Sequence, residues 1–231
     1  MKSNKFGYRY RSRSGEEMRS KVMAENQTQL YFGDTGISRI MYPAVKRTFE
    51  ILFSLLLLVV TLPVLLVTAI AIKLESPGSI FYKQERVGKN GKLFNVWKLR
   101  SMRNDAEKNG PQWASKNDAR VTQVGSFIRK TRIDELPQLF NVLNGEMSLI
   151  GPRPERPMFT EQFDKEIPGF KNRLLVKPGL TGWAQVNGGY EMTPAEKLDL
   201  DMYYIQKQSF KLDTKIFFRT IKVVFTGDGA R

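Results

Sequence analysis

The chain has one dominant apolar block, with patterned polar and amphipathic segments on either side. From Ile51 to Ile72 runs ILFSLLLLVVTLPVLLVTAIAI, 22 consecutive residues without a charge, which would cover about 33 Å as a helix. Before it, residues 38–50 have the pattern of an amphipathic lead-in that runs along an interface. Residues 1–36 are polar, without a sustained period, and predict a flexible tail rich in Arg and Lys. Beyond the block, Ser76-Pro77-Gly78 stops the helix. Apolar and polar residues then alternate from Ile80 to Leu99 around Asn90-Gly91, which predicts a β-hairpin. The polar stretch 101–119 predicts a short helix at Asp105–Lys108 followed by a loop.

Helical spacing returns at residues 120–145, through Val124, Phe127 and Ile128 and then Leu136, Leu139, Phe140 and Leu143. GPRPERP and KPGLTG read as loops, separated by a helix near Pro157–Lys165. Thr193-Pro194 with early acidic residues marks another helix start. The last segment, LDTKIFFRTIKVVF, is a basic amphipathic helix. It suits either a core helix with solvated lysines or a membrane-surface contact.

Charge sharpens the membrane question. Residues 1–47 carry ten Lys/Arg and four Asp/Glu, and residues 73–100 carry seven and two, so both flanks of the apolar block are basic. A spanning helix prefers one positive flank, in the cytoplasm. Pro63 near the middle removes a helical hydrogen bond and favours a kink or break. The residues themselves leave a kinked spanning helix and a re-entrant hairpin open. In the hairpin, Lys46, Arg47 and Lys73 share one headgroup layer.

The whole chain of 231 residues is 41% apolar, with a formal charge of +14, which favours anionic partners: nucleic acid, anionic lipid or a phosphorylated substrate. It has no Cys and no His. That excludes disulfides, zinc sites of the usual kind, the Ser-His-Asp triad and Cys-His hydrolases. Chemistry must rest on carboxylates, Lys, Arg, hydroxyls or an oxygen-loving metal such as Mg²⁺.

The segment RKTRIDELPQ, Arg129 to Gln138, is where such chemistry concentrates. Pro137 suggests a helix start, so Asp134 and Glu135 would sit at a helix N-terminus, where the dipole favours negative charge and phosphate alike. Nearby cations should keep both ionised. One could act as nucleophile while its neighbour holds a metal. Taken alone, an Asp-Glu pair is more often a helix cap with surface ion pairs. Arg153, between Pro152 and Pro154, is suited to bidentate phosphate contact. The backbone of Lys177–Gly182 could approach a diphosphate. Lys98 and Arg100 add charge from the end of the hairpin.

Taken in order, KRTFEILFSLLLLVVTLPVLL, SPGSIFYKQERVGKNGKLFNVWKLRSM, DELPQLFNVLNGEMSLIGPRPE and KPGLTGWAQVNG closely resemble the bacterial sugar transferase family, the monotopic polyprenyl-phosphate phosphoglycosyl transferases. The resemblance runs from about Tyr42 to about Phe225. It implies transfer of a sugar 1-phosphate from a UDP-sugar to undecaprenyl phosphate, releasing UMP and starting exopolysaccharide, capsule or cell-wall glycopolymer synthesis. It further implies that Asp134 forms a covalent sugar-phosphoryl aspartate, that Glu135 supports Mg²⁺, and that Lys98, Arg100 and Arg153 surround the phosphates. A re-entrant helix broken near Pro63 belongs to the same expectation, although a Ser often precedes that Pro in the family and Leu62 stands here.

The implied fold is α+β: a mostly helical, membrane-associated domain with a re-entrant membrane helix, a small β-hairpin and amphipathic interfacial helices. Its expected divisions are a basic tail at 1–36, the lead-in and membrane hairpin at 37–75 and a catalytic domain on the cytoplasmic face at 76–231. Membrane lipid is an expected partner and a homodimer is a reasonable assembly. Two other classes stand beside the enzyme. A tethered binder of anionic polymer predicts salt-sensitive binding and no UMP release, but no nucleic-acid motif is present. A catalytically dead scaffold conflicts with the intact DE and PRP motifs. The identity of the sugar cannot be read from the segment after Trp183.

Overall fold

The computed structural model describes residues 36–108, 110, 118–188 and 192–226. The tail expected over 1–36 lies outside them except for Gly36. So do residues 111–117 of the polar loop and 189–191 beyond Trp183. The described chain is mostly helical, with small sheets and one long apolar helix.

That helix, α1 (Gly36–Glu75), absorbs both the lead-in and the apolar block. It is helical across Pro63, so no loss of helical structure marks the expected break. A proline removes only one ladder bond, and the flanking turns still pair. Thr61 Oγ1 donates to Leu57 O at 2.7 Å. Leu52, Leu56, Val59, Val60, Leu66 and Val67 are exposed, an apolar surface that calls for lipid.

Polar side chains tie each end of α1 to the rest of the molecule. Near its start, Lys46 Nζ reaches Ile150 O at 3.1 Å and Tyr204 Oη at 2.7 Å, and pairs with Asp213 at 3.0 Å. Arg47 donates to Val142 O at 2.6 Å and Leu143 O at 2.8 Å. At its end, Glu75 accepts from the backbone N–H groups of Gln123 at 2.7 Å and Val124 at 3.1 Å, at the positive N-terminus of the next helix.

The predicted hairpin is present as β1 (Phe81–Val87) antiparallel to β2 (Leu93–Leu99). Asn90 and Gly91 carry positive φ in its turn, a conformation that asparagine tolerates and glycine, lacking a Cβ, adopts without strain. Residues 104–108 form turns instead of the expected helix. Ala106 N–H bonds Arg103 O and Lys108 N–H bonds Asp105 O, and these three-residue closures never chain into a ladder.

The predicted helical stretch at 120–145 divides into α2 (Gln123–Lys130), a 3-10 helix (Ile133–Gln138) and α3 (Leu139–Leu143). Arg132 causes the division, since its left-handed backbone, φ 59°, ends α2 and turns the chain. Then come β3 (Ser148–Ile150), α4 (Pro157–Glu166), a 3-10 helix (Phe170–Leu175), β4 (Gly179–Thr181), α5 (Trp183–Asn187), α6 (Pro194–Gln206) and α7 (Phe210–Thr226). Thr193 caps α6 with a full capping box to Glu196, worth about 1 kcal/mol.

β3 and β4 pair in parallel, an element absent from the sequence reading because glycine and proline there read as turns. A Cβ on Gly179 would lie 2.1 Å from Gly151 N. The glycines of KPGLTG therefore admit the neighbouring GPRP backbone, and Gly179 N–H bonds Pro152 O at 2.8 Å. The main core joins Phe94 and Val96 of β2 to Leu139, Val142, Leu149, Tyr204 and Ile216. A second cluster joins Ile72, Leu99 and Ile128.

Candidate active site

Strand periodicity puts Lys98 on the same face of β2 as the buried Phe94 and Val96. That face meets the 3-10 helix carrying Asp134 and Glu135. Lys98 Nζ pairs with Glu135 Oε1 at 2.8 Å. From the opposite side, Arg153 forks onto the same carboxylate, with Nη1 to Oε2 at 3.3 Å and Nη2 to Oε1. Lys98, Glu135 and Arg153, distant in sequence, thus form one ion cluster. Burial raises the Glu135 pKa, but the combined pull of Arg153 and Lys98 outweighs it and holds the group well below the usual carboxylate range.

Asp134 behaves differently. It is 7% exposed, and none of the described residues donates a hydrogen bond to its carboxylate. Burial, opposed by Lys98 and reinforced by Glu135, pushes its pKa up to about 6. The expectation that neighbouring cations keep both groups ionised at neutral pH agrees with these directions, although Asp134, with its pKa raised to about 6, lies much nearer to protonation than Glu135. The result is a carboxylate with open lone pairs beside one that is clamped.

Both line a cavity of about 600 Å³, walled by one face of the hairpin, the 3-10 helix, the PRPE turn and parts of α5 and α6. That volume suits a small organic ligand. Eleven Lys and Arg residues line it against five Asp and Glu, so it attracts polyanions. Arg129, in the last turn of α2, lines the cavity and exerts its charge on Asp134. Its guanidinium makes no hydrogen bond or ion pair among the described residues, which leaves it available to an anion. The sequence reading noted the run of cations before Asp134 without choosing Arg129; the end of α2 is what places it.

Arg100 borders the same cavity as Lys98 and Arg153, with its guanidinium engaged by the end of α1. It is buried, and its guanidinium donates to Ser76 O at 2.7 Å, Pro77 O at 2.5 Å and Asn104 Oδ1 at 2.8 Å. It caps the C-terminal end of α1 while the next-but-one residue on the strand, Lys98, serves the site.

The profile of the family described as bacterial sugar transferase matches residues 41–227. The chain belongs to the bacterial sugar transferase family. Similar relatives include a UDP-N-acetylgalactosamine-undecaprenyl-phosphate N-acetylgalactosaminephosphotransferase of Aeromonas hydrophila, 49% identical over 83% of this chain and 46% of that protein. A UDP-glucose:undecaprenyl-phosphate glucose-1-phosphate transferase of Escherichia coli is 41% identical over 85% of this chain and 42% of its own length. The chain thus spans less than half of these two relatives. By contrast, it spans 93% of the exopolysaccharide production protein PSS of Rhizobium leguminosarum, with 41% identity over 77% of this chain.

For a sugar transferase expected to use Mg²⁺, the donor set can be checked. Among the described residues no group of three or more His, Cys, Asp or Glu converges. The adjacent carboxylates remain, Asp134 fully open and Glu135 with one of its roughly four lone-pair sites left by Lys98 and Arg153. Mg²⁺ is commonly held by one or two carboxylates together with waters and substrate phosphates. The pair fits that habit.

Proposed function

We propose that this sugar transferase moves a sugar 1-phosphate from a UDP-sugar to undecaprenyl phosphate by way of a covalent intermediate on Asp134. The observation carrying this reading is the Asp134 carboxylate, which accepts no hydrogen bond among the described residues, beside the clamped Glu135 in a basic cavity large enough for a sugar nucleotide.

A carboxylate oxygen of Asp134 attacks the sugar-bearing β-phosphorus. The bond from that phosphorus to the bridging oxygen breaks, and UMP departs with the electron pair. A phosphate oxygen of undecaprenyl phosphate then attacks the same phosphorus and displaces Asp134, giving the lipid diphosphate sugar. Arg129 and the cluster of Lys98 and Arg153 are placed to hold the phosphoryl oxygens as charge redistributes. Burial favours the reaction by lifting the basicity of Asp134 while leaving it mainly ionised at neutral pH. Mg²⁺, when bound to Glu135 and Asp134, supplies Lewis-acid neutralisation of the phosphate charge. The two substrates use one pocket in turn, so ping-pong kinetics follow.

In the same proposal the catalytic domain rests on the cytoplasmic face of the membrane and α1 is re-entrant. Support comes from its two ends. Arg47 bonds α3 and Glu75 bonds α2, so both ends stay with one domain although the apolar run is long enough to cross a bilayer. Exposed Phe127 and Phe140, at 60% and 50%, flank the segment that bears Asp134. Phe218 of α7 is 64% exposed and touches Phe217, which meets Phe53 of α1. These surfaces support a reading with Asp134 at the headgroup layer, where a lipid-linked acceptor and a soluble donor meet.

The test mixes the detergent-solubilised full chain with undecaprenyl phosphate and either UDP-N-acetylgalactosamine or UDP-glucose, the donors named in the relatives above. UMP release and a lipid-linked sugar phosphate from one of them support the reading. Tight binding of these anions without UMP would instead favour a binding protein.

A further inference from the structure

The arginine that clamps Glu135 is itself held from behind. Arg173, in the 3-10 helix Phe170–Leu175, is 4% exposed and donates from Nη2 to the backbone carbonyl of Arg153 at 2.9 Å. The same guanidinium pairs with Asp201 of α6, with Nε at 3.0 Å and Nη2 at 2.6 Å from one carboxylate oxygen. Asp201 is 1% exposed. The next carbonyl, Pro154 O, accepts from Arg86 of β1 at 3.0 Å, and Val87 N–H bonds Glu155 O at 3.0 Å. Three consecutive carbonyls of the PRPE turn therefore each have a donor from another element. Proline stiffness fixes φ at Pro152 and Pro154 but leaves open where the turn as a whole points. A buried ion pair can specify one geometry when its charges are satisfied only there.

We infer that the Arg173–Asp201 pair is a positioning device that aims the Arg153 side chain at the reacting phosphate. The inference rests on the proposed role of Arg153 and goes beyond it by assigning a function to two residues outside the four segments that carry the family resemblance. Arg173 and Asp201 act through Arg153, so their effect on rate has nothing to act on once the Arg153 side chain is removed. Both border the cavity but are almost wholly buried, so direct contact with substrate is the alternative that a double-mutant cycle separates.

A double-mutant cycle on the full chain tests this, using whichever of the two UDP-sugars releases UMP with the unaltered protein. The variants are Arg153→Ala, Arg173→Lys, Asp201→Asn and the two doubles containing Arg153→Ala, with a thermal melt recorded for each. The expected result is about a tenfold fall in kcat for Arg173→Lys and for Asp201→Asn with cooperative melting retained, and doubles no slower than Arg153→Ala alone within about twofold. Doubles that lose the product of the two single effects would overturn the inference, since direct substrate contact or a general loss of fold gives that additive outcome. Singles as fast as the unaltered chain, or loss of the cooperative melt in both, would overturn it as well. Arg153→Ala with an unchanged rate defeats the underlying role of Arg153, and that single variant distinguishes the failure from the others.

Discussion

Asp134 and Glu135 are adjacent in sequence and chemically unlike, and the difference follows from what surrounds each carboxylate. Glu135 faces Lys98 and Arg153, whereas Asp134 borders the cavity and accepts no hydrogen bond from the described residues. With its pKa raised to about 6, Asp134 takes up a proton as pH falls through that value and loses its nucleophilic form. The first-turnover rate of UMP release should therefore fall about tenfold per pH unit below 6 and level off above about 7. A flat rate between pH 5 and 7 would contradict this assignment. The identity of the pair was legible because a DE followed by Leu-Pro lies within a long motif. Its asymmetry was not, because it depends on an arginine eighteen residues later and a lysine from the hairpin. Arg100 shows the same limit: charge and motif are visible in sequence, but the carbonyls of Ser76 and Pro77 that it holds are a consequence of how α1 ends.

The elements with a strong local signal are the ones the sequence foretold. The alternating hairpin around Asn90-Gly91 and the capped helix at Thr193 need only neighbours along the chain to be recognised. The parallel pairing of β3 with β4 joins segments some thirty residues apart through glycine close-packing, and no local period announces it. α1 is the element whose placement matters most. Because the chain contains no cysteine, single substitutions at Thr48, Leu74 and Phe218 can each carry the only thiol. In sealed membranes, Thr48→Cys and Leu74→Cys should react with an impermeant maleimide from the cytoplasmic face alone. A fluorophore on Phe218→Cys should be quenched at least twofold more by nitroxide lipid than by aqueous iodide. Labelling of the two α1 positions from opposite faces would show a spanning helix. A Phe218 probe open to iodide would remove α7 from the membrane surface.

At the scale of the whole molecule, a basic cavity lies in the same domain that bonds both ends of the long apolar run of α1. Eleven cations around five acids make the cavity attractive to anions, and in the proposed reaction donor and acceptor are both anionic. The two ends of the apolar run of α1 are bonded to β3, α3 and α2, and α2 carries Arg129 into the cavity wall. The overall class of fold was legible in the sequence through the apolar block and the motif order. The cavity itself was not, because its walls come from segments between residues 79 and 201 that meet only after folding. The central claim is that Asp134 carries the sugar phosphate between its two carriers. Its most direct test is intact and peptide mass spectrometry of enzyme quenched after mixing with UDP-sugar in the absence of undecaprenyl phosphate. The account predicts one added sugar-phosphate mass on the peptide containing Asp134, discharged when the lipid phosphate is added and absent from Asp134→Asn. Lipid-linked product accumulating without any such adduct, or an Asp134→Asn protein with normal turnover, would contradict it.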